Sequence, residues 1–321
     1  MIRLAALLGL LGLAAATGVV LWSGWEDVWT ALEQAGWGIL AVALFHLVQL
    51  FVSSAGWRIL MPPRNRPSYG AFLLFMWVRA SVNALMPVAR IGGEIAAIRL
   101  MTAYGLPRNK AIALTIAELT LSVIAIFLFV TLGVLGFALR VNDQHVTAQL
   151  GWGLLVSLPL IGGLGFVQKI GFFSLLSRLF RVMFREKWAR FAGGAARLDK
   201  AVGLVYRRHG RALACGVIQF GAWSLGSVEI WLSLFFLQHP VSLWDAALIE
   251  ALIQGSASAA FAIPGALGVQ EAGFLLFGGL LGLPPPLAGA LAMMRRGRDL
   301  LCYVPGLAMW QAHEGKRLFK K

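Results

Sequence analysis

Glu118, Glu229, Arg295, Arg296, Arg298 and Asp299 are ionisable side chains inside stretches that are otherwise apolar. In hydrocarbon each such charge costs roughly 2.5–3.5 kcal/mol on insertion scales, so it must face protein, a ligand or water. Arginine suits an anion there, because its planar fork donates two parallel hydrogen bonds to a phosphate or carboxylate. Glu118 stands about ten residues into its apolar stretch, roughly 15 Å at 1.5 Å per residue. That is near the middle of a hydrocarbon core about 30 Å thick. The pairing expected first is Glu118 with Arg295 or Arg296, which leaves a second arginine for a ligand anion. The alternative is that all six form one structural salt-bridge network.

A second constellation lies where apolar stretches are interrupted. Arg79, Ser81 and Asn83 break the stretch 69–87, and Pro87, Arg90, Gly92, Gly93 and Glu94 follow. Pro264 and Glu271 stand 177 residues beyond Pro87 and Glu94. At the same offset Ala80-Ser81 matches Ala257-Ser258, Gly105-Leu106-Pro107 matches Gly282-Leu283-Pro284, and Glu118 meets Arg295. The match needs no gaps and marks an internal repeat, with copies at about 68–140 and 245–311. Glu94 and Glu271 either line a substrate path or cap the helix that follows, where a carboxylate suits the positive N-terminal end. Gly92-Gly93 is too short to cradle phosphate, and no Walker or dinucleotide motif occurs. No His/Cys cluster has zinc spacing and no Gly-x-Ser-x-Gly elbow appears. Neither a catalytic group nor a metal or cofactor is expected, and His46 and Gln49 are expected as interhelical hydrogen-bond partners.

These residues need helices in a bilayer to hold them. Hydrophobic residues make up 59% of the 321-residue chain and charged ones only 13%, far from the quarter or so a soluble surface requires. A span takes roughly 20 apolar residues, and 4–22, 39–60, 111–139, 150–166, 212–237 and 287–311 qualify. Residues 25–37, acidic and Trp-rich with no Lys or Arg, suit the outer interface, and the basic flanks place both termini in the cytoplasm. The net charge of +14 is concentrated in a loop at 169–211, so it reads as positive-inside topology rather than nucleic-acid binding. Within that loop Leu175, Leu179, Phe180 and Met183 alternate with Arg178, Arg181 and Arg185, an amphipathic pattern for the inner leaflet surface. Cys215 and Cys302 lie in apolar spans and are expected as buried thiols.

Stretches 69–87 and 243–263 read as re-entrant, broken hairpins, since broken backbone at membrane depth is tolerated where protein or a wet cavity covers it. Three crossings separate the two copies, so the second is inverted. The expected fold is an all-α polytopic membrane protein of one transmembrane domain, with inverted-topology repeats around a midplane site.

The run from Val78 through Arg79, Asn83, Pro87, Arg90 and Gly92-Gly93 to Glu94 resembles the signature of the lysylphosphatidylglycerol synthetase transmembrane-region family, also called flippase-like domains. Ile263-Pro-Gly-Ala-Leu-Gly-Val-Gln-Glu-Ala-Gly273 resembles its second signature. The resemblance covers nearly the whole chain and extends to hopanoid-biosynthesis-associated membrane proteins of that family. It implies movement of a polar lipid, a hopanoid or an anionic or aminoacylated phospholipid, between leaflets of a bacterial inner membrane. The two signatures would form the re-entrant elements around the path. In bifunctional members a soluble domain aminoacylates phosphatidylglycerol. Here the sequence ends at Lys321, directly after the last span, which counts against synthetase activity. Two readings compete: a membrane-embedded enzyme or subunit that modifies hopanoid or polyprenyl lipids, and a non-catalytic scaffold for such a complex. Membrane lipids are the expected partners, with lipid-biosynthesis enzymes and self-association left open.

Overall fold

A computed structural model describes residues 25–63, 66–86, 92–140, 189–260 and 263–318, with four isolated positions between 148 and 155. The expected spans at 4–22 and 150–166, the amphipathic stretch at 175–188, Pro87 and Arg90 therefore lie wholly or largely outside the described residues.

Among the described residues every regular element is helical. Helix α1 (Trp25–Ala35) leads into α2 (Gly38–Ile59), α3 (Tyr69–Leu85), α4 (Gly92–Ala103) and α5 (Arg108–Arg140). Then come α6 (Ala189–Tyr206), α7 (His209–Phe236), α8 (Leu243–Ala259), the short α9 (Val269–Gly273) and α10 (Pro285–Leu318). Helices α2, α5 and α7 are each long and apolar enough to cross a membrane. Their outward faces carry large apolar side chains, among them Leu44, Phe51, Leu128, Leu135 and Val217. A soluble bundle would bury such residues; here they face lipid.

Local chemistry sets the helix limits. Both interrupted helices start on a serine cap, with Ser68 Oγ accepting from the Ala71 amide at 3.2 Å and Ser242 Oγ from the Asp245 amide at 3.0 Å. Helix α3 ends at Met86, which is extended (φ −105°, ψ 145°), because the ring of the next residue, Pro87, excludes the helical region for its predecessor. Helix α8 ends earlier, at Ala259 with Ala260 as its cap, and past Pro264 the chain turns through Gly265 (φ 59°), Ala266 (φ 47°) and Gly268 (φ 79°). Ala266 is a non-glycine held in the left-handed region and fully buried. Helix α9 runs on into a π-helical turn, Phe274–Gly278.

The 177-residue offset also relates elements. Helices α4 and α9 begin at Gly92 and Val269, and α5 and α10 at Arg108 and Pro285. Between them Gly105 (φ 87°) and Gly282 (φ 91°) make the same left-handed turn. Leu106 N–H donates to Met101 O at 3.1 Å and Leu283 N–H to Gly278 O at 2.9 Å, the six-to-one bond of a Schellman cap.

Two apolar clusters hold the bundle. One gathers Ile230, Leu234, Ile249, Ile253, Phe274 and Leu291, the other Trp57, Phe72, Phe75, Met101 and Leu114. Helix α7 packs along α2, α5 and α8, and α10 lies against α1, α2 and α3. Residues 25–35, expected at the interface, form a helix that buries Val28 and Ala35 and packs on α10. Helix α6, inside the basic loop, packs against α5. Helices α5 and α8 approach so closely at Gly133 that an added Cβ there would overlap the Ala251 side chain. Gly133→Ala should lower stability by about 1–3 kcal/mol through overpacking, read by thermal unfolding in detergent. Gly221→Ala, which meets open space, should leave stability equal or slightly higher.

Candidate functional site

The intramembrane charges form two clusters. In the first, Arg79 of α3 donates from Nε to Glu94 Oε1 of α4 at 2.8 Å, and its Nη1 bonds Glu118 Oε2 of α5. The other oxygen of Glu118 accepts from Gln219 Nε2 of α7 at 2.8 Å, and Gln219 Oε1 accepts from Ser53 Oγ of α2 at 3.1 Å. The Arg79 guanidinium also lies over the Trp57 ring, 5.2 Å from its centroid. Five helices thus converge on one buried carboxylate. Asn83 closes the break between α3 and α4: its Oδ1 accepts the Gly93 amide at 2.8 Å. Gly93 is required there, since a Cβ would run into the Arg79 carbonyl and the Asn83 side chain.

The second cluster is built on α10. Arg295 Nη2 donates to Glu250 Oε2 of α8 at 2.6 Å and stands 3.9 Å from Glu229 Oε1 of α7. Arg296 Nε donates to Glu271 Oε1 at 2.6 Å and its Nη1 to Gly265 O at 3.1 Å. Glu271 Oε2 accepts from the Gly268 amide at 2.8 Å, so this carboxylate both caps α9 and anchors α10. Arg298 bonds Glu229 Oε2 at 3.1 Å, and its Nε lies 3.3 Å from Asp299 Oδ1. His46 of α2 completes the group, with Nδ1 2.9 Å from Glu229 Oε2 and Nε2 2.8 Å from the Tyr303 hydroxyl. In the tautomer whose Nδ1–H donates to Glu229, Nε2 accepts from Tyr303.

The expected pairing of Glu118 with Arg295 or Arg296 is therefore corrected: Glu118 pairs with Arg79, Arg295 with Glu250 and Arg296 with Glu271. The reason is proximity within each segment. The first helix of a segment packs its polar residue against the third helix of the same segment, with the charges exchanged. In 68–140 the first helix supplies the arginine and the third the glutamate; in 245–311 it is the reverse.

A cavity of 350 Å³ lies between the clusters. Arg79, Asn83, Glu94 and Glu118 line one side, and Arg295, Arg298, Asp299 and Gln270 the other. Glu229, Glu271, Arg296, Gly92 and Gly93 stand outside its lining, as supports or helix starts, and Pro264 begins the tight turn before α9. Several buried atoms at this cavity have no hydrogen-bond partner: Arg295 Nε and Nη1, Glu94 Oε2 and Gln270 Oε1. An unpartnered buried polar atom is costly unless a ligand or water satisfies it. In the first cluster Arg79 faces Glu94 and Glu118; in the second three arginines face Glu229, Glu250, Glu271 and Asp299. Each cluster so holds one carboxylate more than it holds guanidinium groups.

Glu250 is the principal residue that sequence reasoning passes over. It is fully buried in the run Leu248-Ile249-Glu250-Ala251-Leu252, where a carboxylate amid apolar residues was itself the signal. Its position in the offset match falls on Leu73, so the repeat gives no hint of it. Gln219 and Tyr303 are similarly silent in sequence, whereas His46 takes the interhelical role expected of it and Gln49 lines the cavity. Cys215 and Cys302 are buried free thiols.

A helical bundle with lipid-facing exteriors and a charged cavity at its heart defines an integral membrane protein with a polar site inside the bilayer. The chain belongs to the lysylphosphatidylglycerol synthase transmembrane-region family, whose pattern matches residues 9–306. No curated protein and no solved structure matches it.

Proposed function

We propose that this protein moves a polar lipid between the leaflets of a bacterial inner membrane, as a flippase or scramblase, with the headgroup passing through the central cavity. The observation that carries this reading is the cavity itself: polar, charged on both sides and lined by unpartnered Arg295 and Glu94 atoms within a bundle of membrane-crossing helices. The free N–H groups of Arg295 suit a headgroup phosphate. The carboxylate in excess in each cluster suits a proton or the amine of an aminoacylated headgroup. A hopanoid with a polar head and an anionic or aminoacylated phospholipid are the substrate classes of choice. The shared helix starts and the charge-exchanged pairs of the two segments support inverted repeats facing each other across the path. The positive ends of the helices support cytoplasmic termini. With no ATPase motif in the sequence, directional movement draws on an ion gradient or a partner.

The test is exchange of a headgroup-labelled phospholipid and of a hopanoid analogue in proteoliposomes, with and without a proton gradient. Ser258→Trp, at an exposed cavity-lining position, should leave thermal stability intact while blocking the path. Carrying a charge through apolar surroundings costs roughly 2.5–3.5 kcal/mol, so exchange should fall roughly a hundredfold. Equal exchange by the blocked variant, or none by the wild type with either lipid, removes the central cavity from the pathway.

A further inference from the structure

A second cavity, of 570 Å³, lies at the end of the bundle where α2 finishes, α3 begins and the Gly105 turn leads into α5. Its floor is apolar, formed by Met61, Ala71 and Leu106, and its polar walls are Arg66, Ser68 and Lys110. Among the described residues no carboxylate lines it. Arg66 is fixed by two bonds to the Met61 carbonyl, from Nε at 3.1 Å and Nη2 at 2.6 Å. Arg58 is held alongside, its Nε on Pro67 O at 3.3 Å and its guanidinium over the Tyr69 ring. Arg211, at the start of α7, has a buried Nη1 with no partner. Partial burial and then the positive charges of Arg58 and Arg211 lower the Arg66 pKa from its usual value, so these cations sit within reach of one another, and among the described residues none of the three makes a salt bridge.

The fold does not require this chemistry. The Gly282 turn repeats the Gly105 turn in dihedral and in hydrogen bond, yet the positions 177 residues beyond Arg58, Arg66 and Lys110 are Phe235, Leu243 and Leu287. The same turn is thus built with apolar neighbours at one place and with clustered cations at the other. Like charges held together repel, and a bound anion offsets that repulsion.

We propose that this basic cavity is a binding site for the phosphodiester headgroup of an anionic lipid, separate from the central cavity. Arg66 and Lys110 contact the phosphate, while Arg58 and Arg211 supply the surrounding positive field. The cavity stands at the end of a membrane-crossing helix, where headgroups lie, and its apolar floor meets the first carbons of the acyl chains. Basic pockets between membrane helices recognise acidic headgroups in this way. The assignment does not depend on lipid movement through the central site.

The experiment is thermal unfolding of the detergent-purified full chain with dioctanoyl phosphatidylglycerol, dioctanoyl phosphatidylcholine or inorganic phosphate. Wild type is compared with Lys110→Gln and with the Arg66→Gln, Lys110→Gln double variant. Lys110→Gln keeps the comparison valid if the double variant fails to fold, because among the described residues the Lys110 ammonium has no salt bridge or hydrogen bond to lose. Phosphatidylglycerol should raise the Tm of the wild type more than phosphatidylcholine does. The concentration needed should rise about fivefold for each cation removed, the effect of one basic group at an anionic surface. Equal stabilisation of wild type and Lys110→Gln by phosphatidylglycerol overturns the site. Stabilisation by inorganic phosphate at the same concentrations overturns the lipid source and assigns free phosphate instead.

Discussion

Arg79→Met should lower the stability of the folded bundle by about 3–5 kcal/mol, the penalty for stranding buried charge. The substitution keeps the length and much of the volume of the side chain, so its effect is electrostatic rather than a packing defect. Glu118 is almost wholly enclosed and would retain only the Gln219 amide as a donor. Glu94 would lose its strong donor and keep only Asn83 Nδ2, at a long 3.5 Å. Two carboxylates would then share one apolar neighbourhood with no cation. Adding Glu118→Gln removes one of them, and the double variant should regain part of the loss. The expected order is wild type, then the Arg79→Met, Glu118→Gln pair, then Arg79→Met alone. Unfolding by heat in detergent, followed by circular dichroism, reads this order. Equal stability of the single and double variants would mean that charge compensation is not what Arg79 provides.

The second large effect falls on function. Arg295→Gln should slow leaflet exchange by roughly tenfold to a hundredfold, as expected for losing hydrogen bonds to a charged group worth about 1.5–3 kcal/mol. Arg295 presents two unpartnered N–H groups at the cavity while a third nitrogen holds Glu250. Its guanidinium is steadied over the Phe274 ring, 5.5 Å from the centroid. Glutamine retains a polar head but neither the charge nor the reach. Glu250→Gln is the matched comparison. It removes the carboxylate that orients Arg295 but leaves the donors in place, so exchange should fall less than in Arg295→Gln. If both variants slow exchange equally in proportion to lost stability, the cluster is structural and Arg295 does not meet the headgroup.

Much of the architecture is legible in the sequence, because a bilayer allows few solutions. Apolar runs of span length end within a few residues of α2, α5 and α7. The two breaks are marked by Pro87 and Pro264, whose effect on the preceding residue is local and steric. The offset of 177 residues carries helix starts and a left-handed glycine turn as well as residue matches. What sequence does not carry is which charged faces meet. Glu118 and Arg295 hold corresponding places in the two segments, and correspondence suggested contact. Each instead faces the first helix of its own segment. That outcome depends on helix rotation and tilt, which apolar periodicity fixes only loosely in spans that are hydrophobic nearly all round. Glu250 escaped for a related reason: a single acid in an apolar run announces burial but names no partner. The helix Trp25–Ala35 was legible through Val28, Leu32 and Ala35, spaced along one face, a short signal beside the acidic and aromatic residues that suggested an interface.

The pattern of ion pairing also has a mechanical side. Among the described residues, the bridges made by Arg79 close within 68–140, and those of Arg295 to Glu250 and of Arg296 to Glu271 within 245–311. The bridge that joins the two segments is Arg140 to Asp245, near the bundle surface, with the arginine mostly exposed. Glu229 of α7, outside both segments, is held by Arg298, so sliding one segment against the other strips no core carboxylate of its guanidinium only when α7 moves with 245–311. Resistance to such a motion comes from side-chain packing and from neutral contacts such as Trp77 Nε1 to Cys302 O at 2.6 Å. With α7 joined to the second, each segment carries its own charge compensation as it moves, like cargo lashed to its own deck, and the interface between them is left free to slip.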